Sequence, residues 1–462
     1  MKDTTLADWL EHIQKQHWRS IDMRLDRAAE VWEKLGVASD LHSHSLTITI
    51  VGTNGKGSCV AMLEAVLREA GLRVGSYTSP HLVRYNERVR VNGREAGDEE
   101  LCRAFSAVES ARGSVPLTYF EFGTLCALWL FARARAQVLL LEAGMGGRLD
   151  AVNIVKNDLA LITSIGMDHA RWLGDDREKI AAEKAGVLKP GALAVCADPH
   201  PPECIARIAA ERDCMLLQSG RDYKIAPHKS ESENEHKNAG DFFDWQSAHA
   251  AVPESWRCMD GLRAPLPGAR QRDNLGGVIT TLALLRGKTK LGRTTMRAGL
   301  AKTALRARCQ VIAGAPEIIL DVAHNRDSAK TLAEFLARRA PAKRAYGVAG
   351  ILADKPLAEI FAEICGAMDC WHFATLGGER GQPASALRDA LAQIAPDAAS
   401  AAKLHDTPLA AFLAAVGAAA AEKGGSARVI VFGSFQTVGA ILGHLETAHP
   451  PVTSPASPSY PA

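Results

Sequence analysis

The run Thr47-Ile-Thr-Ile-Val-Gly52-Thr-Asn-Gly55-Lys56-Gly57-Ser58 constrains this chain more than any other stretch of it. Alternating Thr and Ile followed by Val predicts a short, mostly buried strand. The three glycines let the backbone turn tightly and approach a ligand closely. Cys59 to Ala70 predicts an amphipathic helix stopped by Gly71. Strand, glycine turn and helix together aim backbone N–H groups and the positive helix end at one point, where a phosphate fits. Lys56 would bring a mobile positive charge to the outer phosphates, and Ser58 a hydroxyl to Mg²⁺. The spacing is not that of the general phosphate-loop pattern. Only two residues separate Gly52 from Gly55, and Gly57 stands between Lys56 and the hydroxyl. A purely structural glycine turn is the competing reading.

At 462 residues the chain exceeds the size at which one core usually splits, so two domains are expected. Its 54 basic and 52 acidic residues leave +2, too little for general polyanion binding, so any phosphate must be recognised locally and no nucleic-acid partner is expected. The ten cysteines form no C-x-x-C pair and mostly sit in apolar runs, which predicts buried, reduced thiols. The amino terminus has no signal-peptide core, and the longest apolar stretch, near Leu125 to Ala132, is too short to span a bilayer. A cytoplasmic protein with no membrane partner is the expectation.

Along the chain, residues 6–36 read as helical and 37–45 as a connector into the first strand. Val74 to Tyr77 predicts a second strand ending at Thr78-Ser79-Pro80-His81, and Glu99 to Ala111 a helix after polar, charged positions. Glu121 to Ala134 is apolar nearly all round and predicts a buried helix. Val138 to Leu141 and Leu159 to Ile165 predict buried strands that run into Glu142 and into Asp168-His169. Ligands of open α/β sheets bind beyond the carboxyl ends of the strands. The fold class is therefore α/β: an amino-terminal phosphate-loop domain with a mostly parallel, doubly wound sheet over 1–287, and a smaller Rossmann-like αβ domain over 295–447. The basic, glycine-punctuated residues 288–294 read as a hinge. Residues 226–250 read as a polar surface insertion, and the Pro/Ser-rich 448–462 as a disordered tail.

Glu142 closes a buried strand just before Gly144, Gly146 and Gly147. A buried carboxylate needs a partner, either a cation or a salt bridge to Arg148. Ser79, Glu142 and His169 together form an oxygen-rich set suited to Mg²⁺, although a histidine so placed is commonly a hydrogen-bonded structural residue. Asp321, at another strand end, would hold a ribose or a substrate group; the alternative is helix capping by Asn325 or Asp327. Arg308 would reach a phosphate. Lys184, in the helical run Arg177 to Leu188, reads from its surroundings as a solvated lysine.

Together, GTNGKGS at 52–58, SPHLVRYNERVRVNG at 79–93, LTYFEFGTLCALWLF at 117–131, LEAGMGGRLDAVN at 141–153, TSIGMDHARWLG at 163–174, EKAG at 183–186 and DVAHN at 321–325 resemble the Mur ligase superfamily. Within it, the chain is most similar to the bacterial bifunctional dihydrofolate/folylpolyglutamate synthase family, over roughly residues 20–445. The resemblance implies an ATP-dependent amide ligase, with ATP as co-substrate and Mg²⁺, that joins L-glutamate to dihydropteroate and to reduced folates through an acyl phosphate. It implies that Thr53, Asn54, Gly55, Lys56, Gly57 and Ser58 hold the phosphates, and that Asn274, Arg308 and Asp321 contact nucleotide. Ser79, Glu142 and His169 would serve the metal. Asp26, Arg27, Ala28, Thr118, Tyr119, Phe120, Glu121, Leu149, Asp150 and Ala151 would line a pterin pocket, and flat pterin rings stack well on aromatic faces. Lys184 matches a lysine carbamylated in related ligases, which would place it with Lys56, Glu142 and His169 in the catalytic set.

The chain departs from the family pattern at Arg306-Ala307, where Pro-Gly is common, at Ala170-Arg171 after His169, and at Arg326. A folylpolyglutamate synthase without the dihydropteroate reaction, or a nucleotide-gated binding module, are the alternative functions. A monomer is expected.

Overall fold

The computed structural model describes residues 4–17, 22–228, 242–422 and 426–448. The chain divides into two compact units, Met1–Arg308 with Asn325–Phe335, and Cys309–His324 with Leu336–Ala462.

The first unit is built on strands β1 (Leu46–Val51), β2 (Val74–Tyr77), β3 (Val89–Val91), β4 (Arg94–Glu95), β5 (Val138–Glu142), β6 (Leu159–Ile162), β7 (Leu193–Cys196) and β8 (Met215–Gln218). They lie in the order β4-β3-β2-β5-β1-β6-β7-β8. Pairing is parallel from β2 to β8 and antiparallel at β3 and β4. Both faces are covered, so the central strands read as unbroken apolar runs. Leu139 and Leu141 of β5 pack into one core, and Val138 and Leu140 into the other.

Helices α1 (Leu6–Gln14), α2 (Asp26–Leu35) and α3 (Ala38–His44) precede β1, α4 (Lys56–Glu69) follows it, and α5 (Asp98–Arg112) and α6 (Tyr119–Arg133) lead to β5. Then come α7 (Ala170–Leu173), α8 (Arg177–Ala185), α9 (Glu203–Glu211), α10 (Gln271–Thr289) and α11 (Arg293–Ala301). Strands β9 (Tyr223–Pro227), β10 (Phe242–Ser247) and β11 (Cys258–Arg263) form a separate antiparallel sheet, fixed where Trp245 Nε1 donates to Thr280 of α10 at 3.2 Å. The second unit holds β12 (Gln310–Ile312), β13 (Glu317–Leu320), β14 (Arg344–Ala349), β15 (Cys370–Ala374), β16 (Lys403–His405) and β17 (Ala427–Phe432), in the order β12-β13-β17-β14-β15-β16. All its pairs are parallel except β12–β13.

Several local expectations are corrected. The single helix over 6–36 is two, with no Gly or Pro between residues 15 and 25 to mark the break. The connector 37–45 is mostly α3. The polar stretch before α5 contains the hairpin β3–β4, turned by Asn92 and Gly93 with φ of 56° and 77°, as a type I′ turn requires. The inferred hinge 288–294 is the end of α10 and the start of α11, and the chain changes unit after Arg308 instead. A Cβ at Gly299 would stand 2.5 Å from Val66 Cα, so α11 seats directly on α4. The ends of the 226–250 segment belong to β9 and β10, and 229–241 lie outside the described residues, as do 449–462 of the tail. Among the described residues no helix is long and apolar enough to cross a membrane.

Candidate active site

At the end of β1 the backbone passes through Gly52 with φ of +151°, where a Cβ would stand 1.8 Å from Thr163 Oγ1. That hydroxyl donates to the Asn54 carbonyl at 2.7 Å, and Thr53 N donates to the Ser164 carbonyl at 2.7 Å, so the end of β6 braces the loop. Gly55 is left-handed at +93°, and its missing side chain makes room for Asn274, whose Oδ1 lies 2.4 Å from the Cβ position. α4 then starts at Lys56, earlier than its apolar pattern predicts, and so presents free N–H groups at the loop.

Lys56 Nζ donates to the Gly52 and Thr53 carbonyls at 3.1 and 3.2 Å. Ser58, read from the sequence as a metal hydroxyl, is buried under α10, where its Oγ accepts from Gln271 Nε2 at 3.2 Å. Asn274 Nδ2 donates to Gln271 Oε1 at 3.1 Å. Gln271 and Thr163 thus shape the loop without having been singled out in the sequence. Gln271 carries no motif signal, whereas Thr163 opens the run 163–174.

Glu142 ends β5 buried, its Oε2 accepting from Ser79 N at 3.3 Å and lying 3.8 Å from the Cβ position of Gly57. Burial pushes its carboxyl up, against the nearby charges of Lys56 and Arg308. The salt bridge to Arg148 is excluded, because Arg148 pairs with Glu183 at 2.8 Å. Arg308 Nη2 stands 3.9 Å from the same Gly57 position. A buried carboxylate beside a serine fits a hard divalent ion that prefers oxygen ligands, and the nearby Lys56 and Arg308 charges fit phosphate. The His169 backbone is left-handed at +53°, and its Nε2 is 3.9 Å from Asp168 Oδ2. Its loop is tied to the phosphate loop where Thr53 Oγ1 donates to the Gly166 carbonyl and accepts from Gly166 N, both at 3.0 Å. Among the described residues no three His, Cys, Asp or Glu side chains gather as a ready metal cage.

Lys184 is not solvated. It is 4% exposed, and its Nζ donates to the Gly52 carbonyl at 2.9 Å. Burial, reinforced by the Lys56 charge, pushes it down to about 7.

The residues assigned to a pterin pocket gather in part. Arg27, buried on α2, pairs with Asp22 at 2.6 Å and with Glu121 at 3.1 Å. Glu121 and Thr118 cap α6 reciprocally, Thr118 N donating to Glu121 Oε2 at 2.7 Å. Phe120 closes on the turn after Glu142, its Cε2 2.8 Å from the Cβ position of Gly144, and Tyr119 lies beside it at the start of α6. Asp150 braces that turn by accepting from Met145 N at 2.9 Å and Val152 N at 3.1 Å, and burial pushes it up to about 6. Ala28 and Ala151 are buried and Leu149 is half-buried. Asp26 is exposed and pairs only with Arg24 among the described residues. In the second unit both oxygens of Asp321 hold backbone N–H groups, Cys309 at 2.7 Å and Ala323 at 2.8 Å. The Asn325 side chain accepts from Ser328 N at 3.0 Å, which is the capping alternative.

Residues 307–435 match the family model described as "Mur ligase, glutamate ligase domain". With the phosphate loop and the parallel sheet, this defines an ATP-dependent ligase of the Mur type. Over 440 residues the chain is 38% identical to the dihydrofolate synthase/folylpolyglutamate synthase of Escherichia coli, covering 95% of this chain and 94% of that one. Its counterpart from Haemophilus influenzae is 36% identical over 453 residues, covering 94% and 96%. The solved Escherichia coli FolC in complex with DHPP and ADP is 35% identical with a TM-score of 0.84, covering 96% of this chain and 98% of that one. The bifunctional synthase of Yersinia pestis complexed with AMPPNP and Mn ion is 37% identical with a TM-score of 0.80, covering 96% and 98%. The chain belongs to the dihydrofolate synthase/folylpolyglutamate synthase family.

Proposed function

We propose that this chain joins L-glutamate to dihydropteroate, forming dihydrofolate, and adds further glutamates to reduced folates, using Mg²⁺ and one active site. The observation that carries this reading is the 142–151 turn. At its start Glu142 faces the phosphate loop, and at Gly144 it meets Phe120, next to the Arg27–Glu121 pair. A carboxylate is a poor acyl donor because its oxygen leaves badly. Transfer of the terminal phosphoryl group of ATP to that oxygen releases ADP and gives an acyl phosphate. The glutamate amine then attacks the acyl carbon, the amide forms, and inorganic phosphate leaves with the C–O electron pair.

Such a transfer is governed by positioning and charge neutralisation. The loop N–H groups and Lys56 would hold the phosphates, and Arg308 would add charge beside Gly57. Glu142 and the Ser79 hydroxyl would hold Mg²⁺, with His169 as a further ligand. When bound, the ion would draw charge from the phosphate oxygens. Lys184, once carbamylated, would turn a cation into a carboxylate beside the loop.

The test is to incubate purified protein with ATP, Mg²⁺ and L-glutamate, and either dihydropteroate or tetrahydrofolate, and to weigh the products. A gain of one glutamyl residue is expected on each acceptor. A gain on tetrahydrofolate alone would favour the monofunctional enzyme. ATP hydrolysis without any mass gain would favour the binding module.

A further inference from the structure

Arg88 is a guanidinium held in place without a carboxylate partner among the described residues, although its side chain is only 9% exposed. It ends the single turn Tyr85–Arg88, and Thr78 N donates to its carbonyl at 2.9 Å, which sets it beside the Ser79 loop at the end of β2. Its Nε donates to His81 Nδ1 at 2.9 Å, and its guanidinium carbon lies 5.5 Å from the ring centres of both Tyr85 and Tyr119. An arginine N–H can only donate, so His81 Nδ1 is the acceptor of this bond. One of five donors is thus used, the plane is fixed between rings, and neither terminal nitrogen is sealed from solvent. A cation this desolvated calls for an anion, and a fixed planar fork suits a carboxylate held by two hydrogen bonds.

We propose that Arg88, oriented by His81 and Tyr119, is a subsite for the carboxylate that does not react on the terminal glutamyl residue of a folate acceptor. The proposal rests on the reading of the chain as a bifunctional glutamate ligase. Dihydropteroate brings one carboxylate, which must stay nucleophilic toward phosphorus. In a glutamylated folate that carboxyl is already an amide, and the terminal glutamyl residue brings two carboxylates: one that reacts, and a second that passes through the reaction unchanged and must be neutralised in the site. A guanidinium locked by His81 and two tyrosine faces suits the unchanged group, because clamping the reacting oxygen would quench its attack.

The test compares KM values for dihydropteroate and tetrahydrofolate in wild type, Arg88→Met and Arg88→Lys. It includes, with wild type and Arg88→Met, a tetrahydrofolate whose non-reacting carboxylate is an amide. Arg88→Met is expected to raise the KM for tetrahydrofolate about ten- to a hundred-fold and that for dihydropteroate by no more than about two-fold, with Arg88→Lys in between. Wild type should bind the amide worse than the acid by the same factor, and Arg88→Met should not tell them apart. Equal losses on both acceptors, or a wild type that accepts amide and acid alike, would overturn the proposal. If Arg88→Met does not fold, the wild-type comparison decides alone. A wild type that ligates neither acceptor refutes the functional reading itself.

Discussion

Lys184 and Lys56 share one acceptor, the Gly52 carbonyl, at 2.9 and 3.1 Å. With Lys184 pushed down to about 7, about half its amine is neutral at pH 7, against roughly one part in 3000 at an ordinary lysine value. A neutral amine adds to CO₂, losing a proton, and the carbamate keeps one N–H for the Gly52 bond. Lys184→Ala is expected to lose most ligation, with acetate or formate restoring part of it, and Lys184→Arg should be no better. A fully active arginine variant would contradict the carbamate. The same residue sets a pH dependence of stability in CO₂-free buffer. Its folded value lies below the unfolded one, so the unfolded chain binds the extra proton between about pH 7 and 10.4. This residue's contribution to stability therefore rises with pH across that window by up to ~1.4 kcal/mol per unit. Lys184→Met should flatten urea-unfolding midpoints over that range, and an unchanged slope would contradict the assignment. Glu142→Ala should abolish ligation and weaken the metal dependence of ATP binding, as titration of nucleotide with and without Mg²⁺ would show; near-normal turnover would make the carboxylate structural.

The pair that joins α2 to α6 is a statement about elements. Arg27→Met strands Glu121 in a buried position, which typically costs about 3–5 kcal/mol. Both unfolding stability and affinity for dihydropteroate should fall, while Arg27→Met with Glu121→Gln should recover stability without affinity. Kinetics and denaturation on the three proteins would separate packing from recognition. Elements of this kind were legible in the sequence to differing depth. β1, β5 and β6 could be read, with the glycine loop after the first, Glu142 closing the second and Asp168-His169 beyond the third, because strands covered on both faces must be continuously apolar. The hairpin β3–β4 was signalled by Asn92-Gly93 and passed over because its strands are short and charged. The burial of Lys184 had no local signal, since α8 around it looks like a solvated helix and only the return of that helix onto Gly52 encloses the amine. Ala307 marks another limit. At the family's glycine position it takes φ of +55°, a left-handed backbone that the sequence alone left open.

At the scale of the whole molecule, each compact unit has its own sheet, and the ligase match at 307–435 falls mainly on the second while the phosphate loop belongs to the first. The relationship to bifunctional synthases runs almost end to end, over 95% of this chain. On the function proposed above, one site serves two acceptors, with the phosphate loop joined through the turn at 142–151 to the residues assigned to a pterin pocket. Competition kinetics test it most directly. With ATP, Mg²⁺ and L-glutamate held constant, dihydropteroate should suppress glutamate addition to tetrahydrofolate competitively, with an inhibition constant equal to its own KM as an acceptor. Simultaneous full-rate turnover of both acceptors at saturation would contradict it.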